Sequence, residues 1–242
     1  MALTRVLVLI SGFLALDSVV GAQQVAAPRA LEVKYVRDSE EYATLARQVY
    51  RLAGDAVERA RSSPRSAPWA VVLDVDETTL DNSTYQLERA AYGLPYDERS
   101  WASWVLRREA AAVPGVKSFV DRVRLAGGHV AFITNRDAAL ADATRANLAS
   151  VGLWNDDDRL CGQKSQYPKA VRRLEVVTGT GDCAWPNTPM RIVAFVGDQM
   201  GDFPAASESI RGAGSDDAFG TTCFLLPNPM YGDWTSRVTR VK

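Results

Sequence analysis

Residues 71–80 read VVLDVDETTL: apolar residues run straight into two carboxylates, Asp74 and Asp76, followed by Glu77 and two threonines. An apolar run of this length is the pattern of a strand buried on both faces. Alternate residues of an extended chain point the same way, so Asp74 and Asp76 face a common volume beyond the end of the strand. An Asp-x-Asp pair carries little information alone, because 19 aspartates in 242 residues produce about one or two such pairs by chance. The neighbouring segments have to decide its meaning.

Four more apolar runs follow at HVAFIT from His129, RLCG from Arg159, RIVAFVG from Arg191 and TTCFLL from Thr221. Helical patterns such as VKSFVDRVRLA and ALADATRANLASVG lie between most of them. Strands alternating with helices predict an α/β fold, a three-layer sandwich around a central parallel sheet. Ahead of the first strand, residues 40–60 place Tyr42, Leu45, Val49, Leu52, Ala53, Ala56 and Val57 at helical spacing. This helix covers about 38–62, and an aromatic, partly helical segment runs over about 82–113.

In such sheets ligands bind beyond the carboxyl ends of the strands. The residues found there are Asp74, Thr134 with Asn135, and Asp198 with Asp202. Strand ends and helix caps favour Asp, Thr and Asn in any case, but the whole set gathers on one edge. Two close carboxylates repel unless a cation lies between them. Several of them converging is the chemistry of magnesium, a hard cation, so Mg2+ is the expected cofactor. Thr134 and Asn135 can donate hydrogen bonds to a phosphate, and Lys169 can add a positive charge. Lys164 is the rival for that role.

Composition narrows the partners. Lys and Arg total 28 against 29 Asp and Glu, so no global field draws the chain to a nucleic acid polymer or an anionic membrane. Residues 1–22 carry Arg5, an apolar stretch from Val6 to Leu16 and small residues up to Ala22, the pattern of a cleaved export signal. The expectation is a periplasmic or secreted protein of residues 23–242, one domain with no stable membrane anchor after cleavage. A homodimer is left open. In an oxidising compartment Cys161 and Cys183 are the preferred disulfide, with Cys223 a buried thiol. His129 opens a strand and has no partner in the pattern, which argues against a histidine phosphatase.

Taken together, DVDETTLDNS, ITNR, a lysine before AVRR, and GDQMGDF resemble the four motifs of the haloacid dehalogenase superfamily in its four-aspartate variant. The additional WASWV, AVPGV and LPNPMYGDW resemble the class C bacterial acid phosphatases and related surface nucleotidases. That resemblance implies an acid phosphatase acting on small phosphomonoesters, nucleoside monophosphates among them. Asp74 would be the nucleophile and Asp76 the general acid and base. Magnesium would be held by Asp74, the Asp76 carbonyl, Asp198 and Asp202, while Thr134, Asn135 and Lys169 bind the phosphoryl oxygens. The helix at about 38–62 and the insertion at about 82–113 would form a small, mostly helical cap in which Tyr85, Trp104 and Tyr231 stack a nucleoside, while helical spacing by itself puts Tyr92 and Trp101 in a core. A phosphotransferase and a non-catalytic storage protein are the rival readings; the intact Asp74 speaks against the second.

Overall fold

The computed structural model describes residues 31–62, 67–208, 210 and 214–236. A short helix α1 (Leu31–Asp38) and a long one α2 (Glu40–Arg61) precede strand β1 (Trp69–Leu73). A two-residue strand β2 (Leu80–Asp81) leads into α3 (Ser83–Ala91) and α4 (Glu98–Arg107), and β3 (Ala111–Ala112) closes that insertion. Then come α5 (Val116–Leu125), β4 (His129–Asp137), α6 (Ala141–Ser150), β5 (Arg159–Gln163), α7 (Lys169–Thr178), β6 (Arg191–Gly197) and β7 (Cys223–Leu225). The export segment expected at residues 1–22 lies outside the described residues. Among the described residues no helix is long and apolar enough to cross a membrane.

Five strands form one parallel sheet in the order β5-β4-β1-β6-β7. All five residues of β1 are buried, as a central strand covered on both faces requires. One apolar layer joins the sheet to α2, α5 and α6 through residues such as Val57, Phe119 and Leu148. The opposite layer holds Ala70, Ile133, Val176, Trp185 and Phe195. The loop at 178–190, which has no legible function in the sequence, contributes Cys183, Trp185 and Met190 to this second layer. It is a plug: the Trp185 indole donates to Asp157 O at 2.8 Å and its ring lies 5.3 Å from that of His129.

Helix α2 buries Tyr42, Ala53, Ala56 and Val57 of its expected stripe but turns its leucines to the edge of the buried face. Ser39 caps it, accepting from Tyr42 N at 3.0 Å. Tyr42, Ala46, Tyr50, Ala53, Val57 and Ala60 are buried, whereas Leu45 and Leu52 are each 40% exposed. Small residues decide this, since Ala46, Ala53 and Gly54 let the helix approach its neighbours closely; a Cβ on Gly54 would strike Arg122. The long helix therefore packs on the sheet beside α5, β6 and β7, and α1 packs against α3 of the insertion.

The antiparallel pair of β2 with β3 joins Leu80 to Ala112 and Asp81 to Ala111. It ties both ends of the insertion to the chain just beyond β1. Strand β4 outruns β1, whose last partner in it is Phe132, and carries Thr134, Asn135 and Arg136 out past the sheet. The expected disulfide is not formed: Cys161, Cys183 and Cys223 are all free, buried thiols. Cys161 and Cys183 lie side by side in the second apolar layer, and the Cys161 thiol is pushed up by its hydrogen bond to Cys183 and by burial. The two thiols are hydrogen-bonded and not covalently linked.

Candidate active site

Asp74 sits one residue beyond β1, its amide still in the ladder, donating to Val196 O at 3.0 Å. Its carbonyl accepts from Thr79 Oγ1 at 2.5 Å. The chain then folds back, with the amides of Thr79 and Leu80 donating to Val75 O at 2.8 and 2.7 Å. Glu77 occupies the left-handed region, φ 55°, a conformation side chains resist. Its buried carboxyl compensates by accepting the Asn82 amide at 2.9 Å and bonding the Tyr231 hydroxyl. Burial, then the Asp76 and Asp198 charges, hold the Glu77 carboxyl well above the usual range.

Asp198 ends β6 after Gly197, and Asp202 follows on a 3-10 turn over Met200–Asp202. Asp202 Oδ2 accepts the amides of Asp198 and Gln199 at 3.1 and 2.9 Å. Thr78 Oγ1 and Asn228 Nδ2 donate to the two oxygens of Asp198 at 3.1 and 2.8 Å. Oxygens of Asp74, Asp198 and Asp202 thus lie within 4.8 Å of one another, and all three residues are buried. Burial drives Asp74 well above its ordinary value; Asp202, Asp198 and Asp76 add to the rise and Lys169 opposes it. Burial and then Asp202 push Asp198 up to about 6. Three buried carboxylates whose oxygens converge in this way are a donor set suited to a hard divalent cation.

Lys169, the first residue of α7, follows Pro168 and bonds both Asp74 and Asp202. Burial would depress its ammonium, but the two carboxylates raise it, so it stays charged. Thr134 is buried, its hydroxyl accepting the Arg136 amide at 3.1 Å and lying 3.5 Å from Asp76 Oδ2. The Asn135 side-chain oxygen accepts from Arg172 at 3.0 Å. Arg172, fully buried, also donates to the carbonyls of Thr134 and Cys161 at 2.5 and 3.0 Å, holding this loop from beneath. Lys164 is elsewhere, paired with Asp182.

A cavity of about 610 Å³ opens here, lined by Asp74, Asp76, Asn135, Lys169, Asp202, Tyr96, Trp101 and Tyr231 among others. The expected stacking set changes in membership. Tyr85 and Trp104 are each 2% exposed and do not line the cavity. The Tyr85 hydroxyl pairs with Ser100 Oγ at 2.9 Å, and the Trp104 indole donates to Asn82 Oδ1 at 2.8 Å. Both are core residues of the insertion. Trp101, expected in the core, and Tyr96, not singled out in the sequence, form the wall instead, with Tyr85 packed edge-on behind Trp101 at 5.1 Å. Helical spacing carries both faces of α4 equally well, so no signal separates them. Thr78, Asn82, Arg136, Arg172 and Asn228 were also missed as site residues, although all lie in or beside the quoted motifs.

A sequence profile of the HAD superfamily, subfamily IIIB (acid phosphatase), matches residues 15–234. The chain belongs to that family. It is 30% identical over 169 residues to acid phosphatase 1 of Solanum lycopersicum, covering 66% of this chain and 57% of that one. It is 26% identical over 168 residues to the stem 31 kDa glycoprotein of Glycine max, covering 66% and 58%. The chain therefore spans less than two thirds of the length of these two relatives. Among solved structures, the class C acid phosphatase of Bacillus anthracis superposes with a TM-score of 0.71 at 28% identity, over 84% of this chain and 85% of that one. The same enzyme with tungstate bound gives 0.70 at 28% identity, with the same coverage. This subfamily IIIB chain shares with that enzyme its α/β fold, a central parallel sheet flanked by helices.

Proposed function

We propose that this member of the acid phosphatase family is an exported, Mg2+-dependent phosphomonoesterase that works through an aspartyl-phosphate intermediate and accepts nucleoside monophosphates. The observation that carries the reading is the buried trio Asp74, Asp198 and Asp202, with Lys169 bonded between two of them, beside a cavity lined by Asp74, Asp76, Lys169 and Asp202. Asp74, Asp198, Asp202 and the Asp76 carbonyl would hold the metal. Such an ion supplies charge neutralisation for the phosphoryl oxygens.

Asp74 attacks phosphorus as the bond to the leaving oxygen breaks, and Asp76 gives that oxygen a proton. Water then attacks the phosphorus of the acyl phosphate, Asp76 takes the water's proton, and the bond to Asp74 breaks to release phosphate. Lys169 and the Thr134–Asn135 loop neutralise and orient the transferring group. The tungstate bound by the Bacillus anthracis relative is a tetrahedral oxyanion, in keeping with a phosphate-binding floor. Trp101, Tyr96 and Tyr231 offer aromatic faces for a base, and such stacking is worth about 1 to 3 kcal/mol per base. Export rests on the sequence of residues 1–22.

The test is a turnover screen of nucleotides, sugar phosphates and aryl phosphates with Mg2+ or EDTA. Mg2+-dependent phosphate release with preference for nucleoside monophosphates is expected. Full activity in EDTA overturns the metal centre, and no turnover of any ester overturns the activity.

A further inference from the structure

The two oxygens of Asp76 are treated very unequally. Oδ1 receives Arg136 Nε at 2.9 Å, Arg136 Nη2 at 2.7 Å and Asn82 Nδ2 at 2.9 Å. Oδ2 has only the long 3.5 Å contact from Thr134. Behind this set, Asn82 Oδ1 accepts from the Trp104 indole at 2.8 Å and from Arg136 Nη2 at 3.2 Å. Arg136 Nη1 donates to Thr144 Oγ1 at 3.2 Å, and its guanidinium lies 5.6 Å from the Trp101 ring centre. The side chain of Arg136 is 1% exposed and that of Asp76 18%.

An aspartate carboxyl rotates in a broad, roughly two-fold well, so its oxygens exchange roles freely. Three donors on one oxygen, two of them charged, remove that freedom. Asn82 cannot turn either, since its oxygen is claimed by an indole and a guanidinium and its nitrogen by Asp76 and Leu80 O. We propose that Arg136, Asn82 and Trp104 are positioning residues that pin Asp76 Oδ1 and so present Oδ2 to the leaving group, making the inserted helix α4 part of the proton-transfer geometry. This rests on the reading of Asp76 as general acid. The insertion thereby orients the chemistry as well as walling the cavity.

The test compares kcat/KM for glycerol 2-phosphate, whose leaving alcohol needs a proton, with that for 2,4-dinitrophenyl phosphate, whose leaving group does not. The full chain is used with saturating Mg2+. Kcat/KM reports the step that expels the leaving group and is blind to later hydrolysis of the acyl phosphate. Asp76→Asn sets the benchmark, with a loss about 100-fold larger on the glycerol ester. Asn82→Ala and Trp104→Phe are expected to lose about tenfold more on the glycerol ester than on the dinitrophenyl ester. Arg136→Gln leaves a carboxylate without its counter-charge and is exposed to misfolding. Trp104→Phe keeps every charge, so it decides the matter even if the arginine variant is lost. Equal losses on both esters in Asn82→Ala and Trp104→Phe, beside a selective Asp76→Asn, overturn the positioning role and leave the acid assignment standing. Equal losses in Asp76→Asn overturn both.

Discussion

The Lys169 ammonium lies 2.6 Å from Asp202 Oδ1 and also bonds Asp74, from a helix that begins 33 residues before Asp202. A buried cation among carboxylates is costly to remove, because the charges left behind lose their compensation. Lys169→Met should lower kcat/KM by about two to three orders of magnitude, the scale of losing one donor to a developing anion. In EDTA it should also melt earlier than the parent, and Mg2+ should recover the melting temperature without recovering turnover. Wild-type kcat/KM in this variant would remove Lys169 from the site.

Asp74→Asn retains the shape of the nucleophile without its charge. Hydrolysis of 4-nitrophenyl phosphate should fall by more than about ten-thousandfold, the upper end of what general acid–base assistance alone contributes. Steady-state assay with Mg2+ reads the outcome, and a variant within tenfold of the parent excludes Asp74 as the attacking group.

Acid should favour the metal-free protein. With burial and Asp202 raising Asp198 to about 6, the folded state holds a proton more tightly than the unfolded chain does. Stability contributed by that proton is complete below the ordinary value of 3.8, is lost as pH rises toward about 6, and changes little above it. A divalent ion competes for the same oxygens, so the rise in melting temperature produced by Mg2+ over EDTA should grow between those pH values. A gain that shrinks across this window would contradict the carboxylate trio as the metal site.

Gly197 leaves room for Asp202. A Cβ there would come within 2.5 Å of Asp202 Oδ2. Gly197→Ala should therefore displace this carboxylate and cut kcat by about 100-fold, the usual scale for a misplacement of roughly 1 Å. Far-ultraviolet circular dichroism should show the fold retained. Unchanged kcat would mean the turn can shift without cost.

The aromatic wall can be separated from the aromatic core. Tyr96→Ala should raise KM for a nucleoside monophosphate by about fivefold, the equivalent of about 1 kcal/mol of stacking, with no change for glycerol 2-phosphate. Tyr85→Leu, which removes the ring but keeps an apolar side chain in the core of the insertion, should lower the melting temperature and leave the ratio of the two KM values as it is. The reverse pattern would restore Tyr85 as the stacking residue.

Much of this arrangement can be read from residue order. Apolar runs mark the strands, and whatever follows a parallel strand emerges at one edge, so Asp74, Thr134, Asn135, Asp198 and Asp202 are gathered there by the fold class alone. Lys169 was legible through its motif neighbours. The stacking set was not: α4 carries Trp101 and Trp104 three residues apart, and only the packing of Tyr85 and Asn82 decides which ring enters the core. For α2 the expected stripe holds at Tyr42, Ala53, Ala56 and Val57, but its leucines lie at the edge, because alanine and glycine, weak in hydropathy, win through close approach.

By itself, then, the sequence determines the alternation of strands and helices and the acids that cap them, since both follow from local periodicity. Tertiary structure alone decides which oxygen of Asp76 is held, which aromatics see the cavity, and that Glu77 meets Tyr231 across the site. Those depend on hydrogen bonds and contacts between residues as far apart as 154 positions, where direction in space outweighs spacing along the chain.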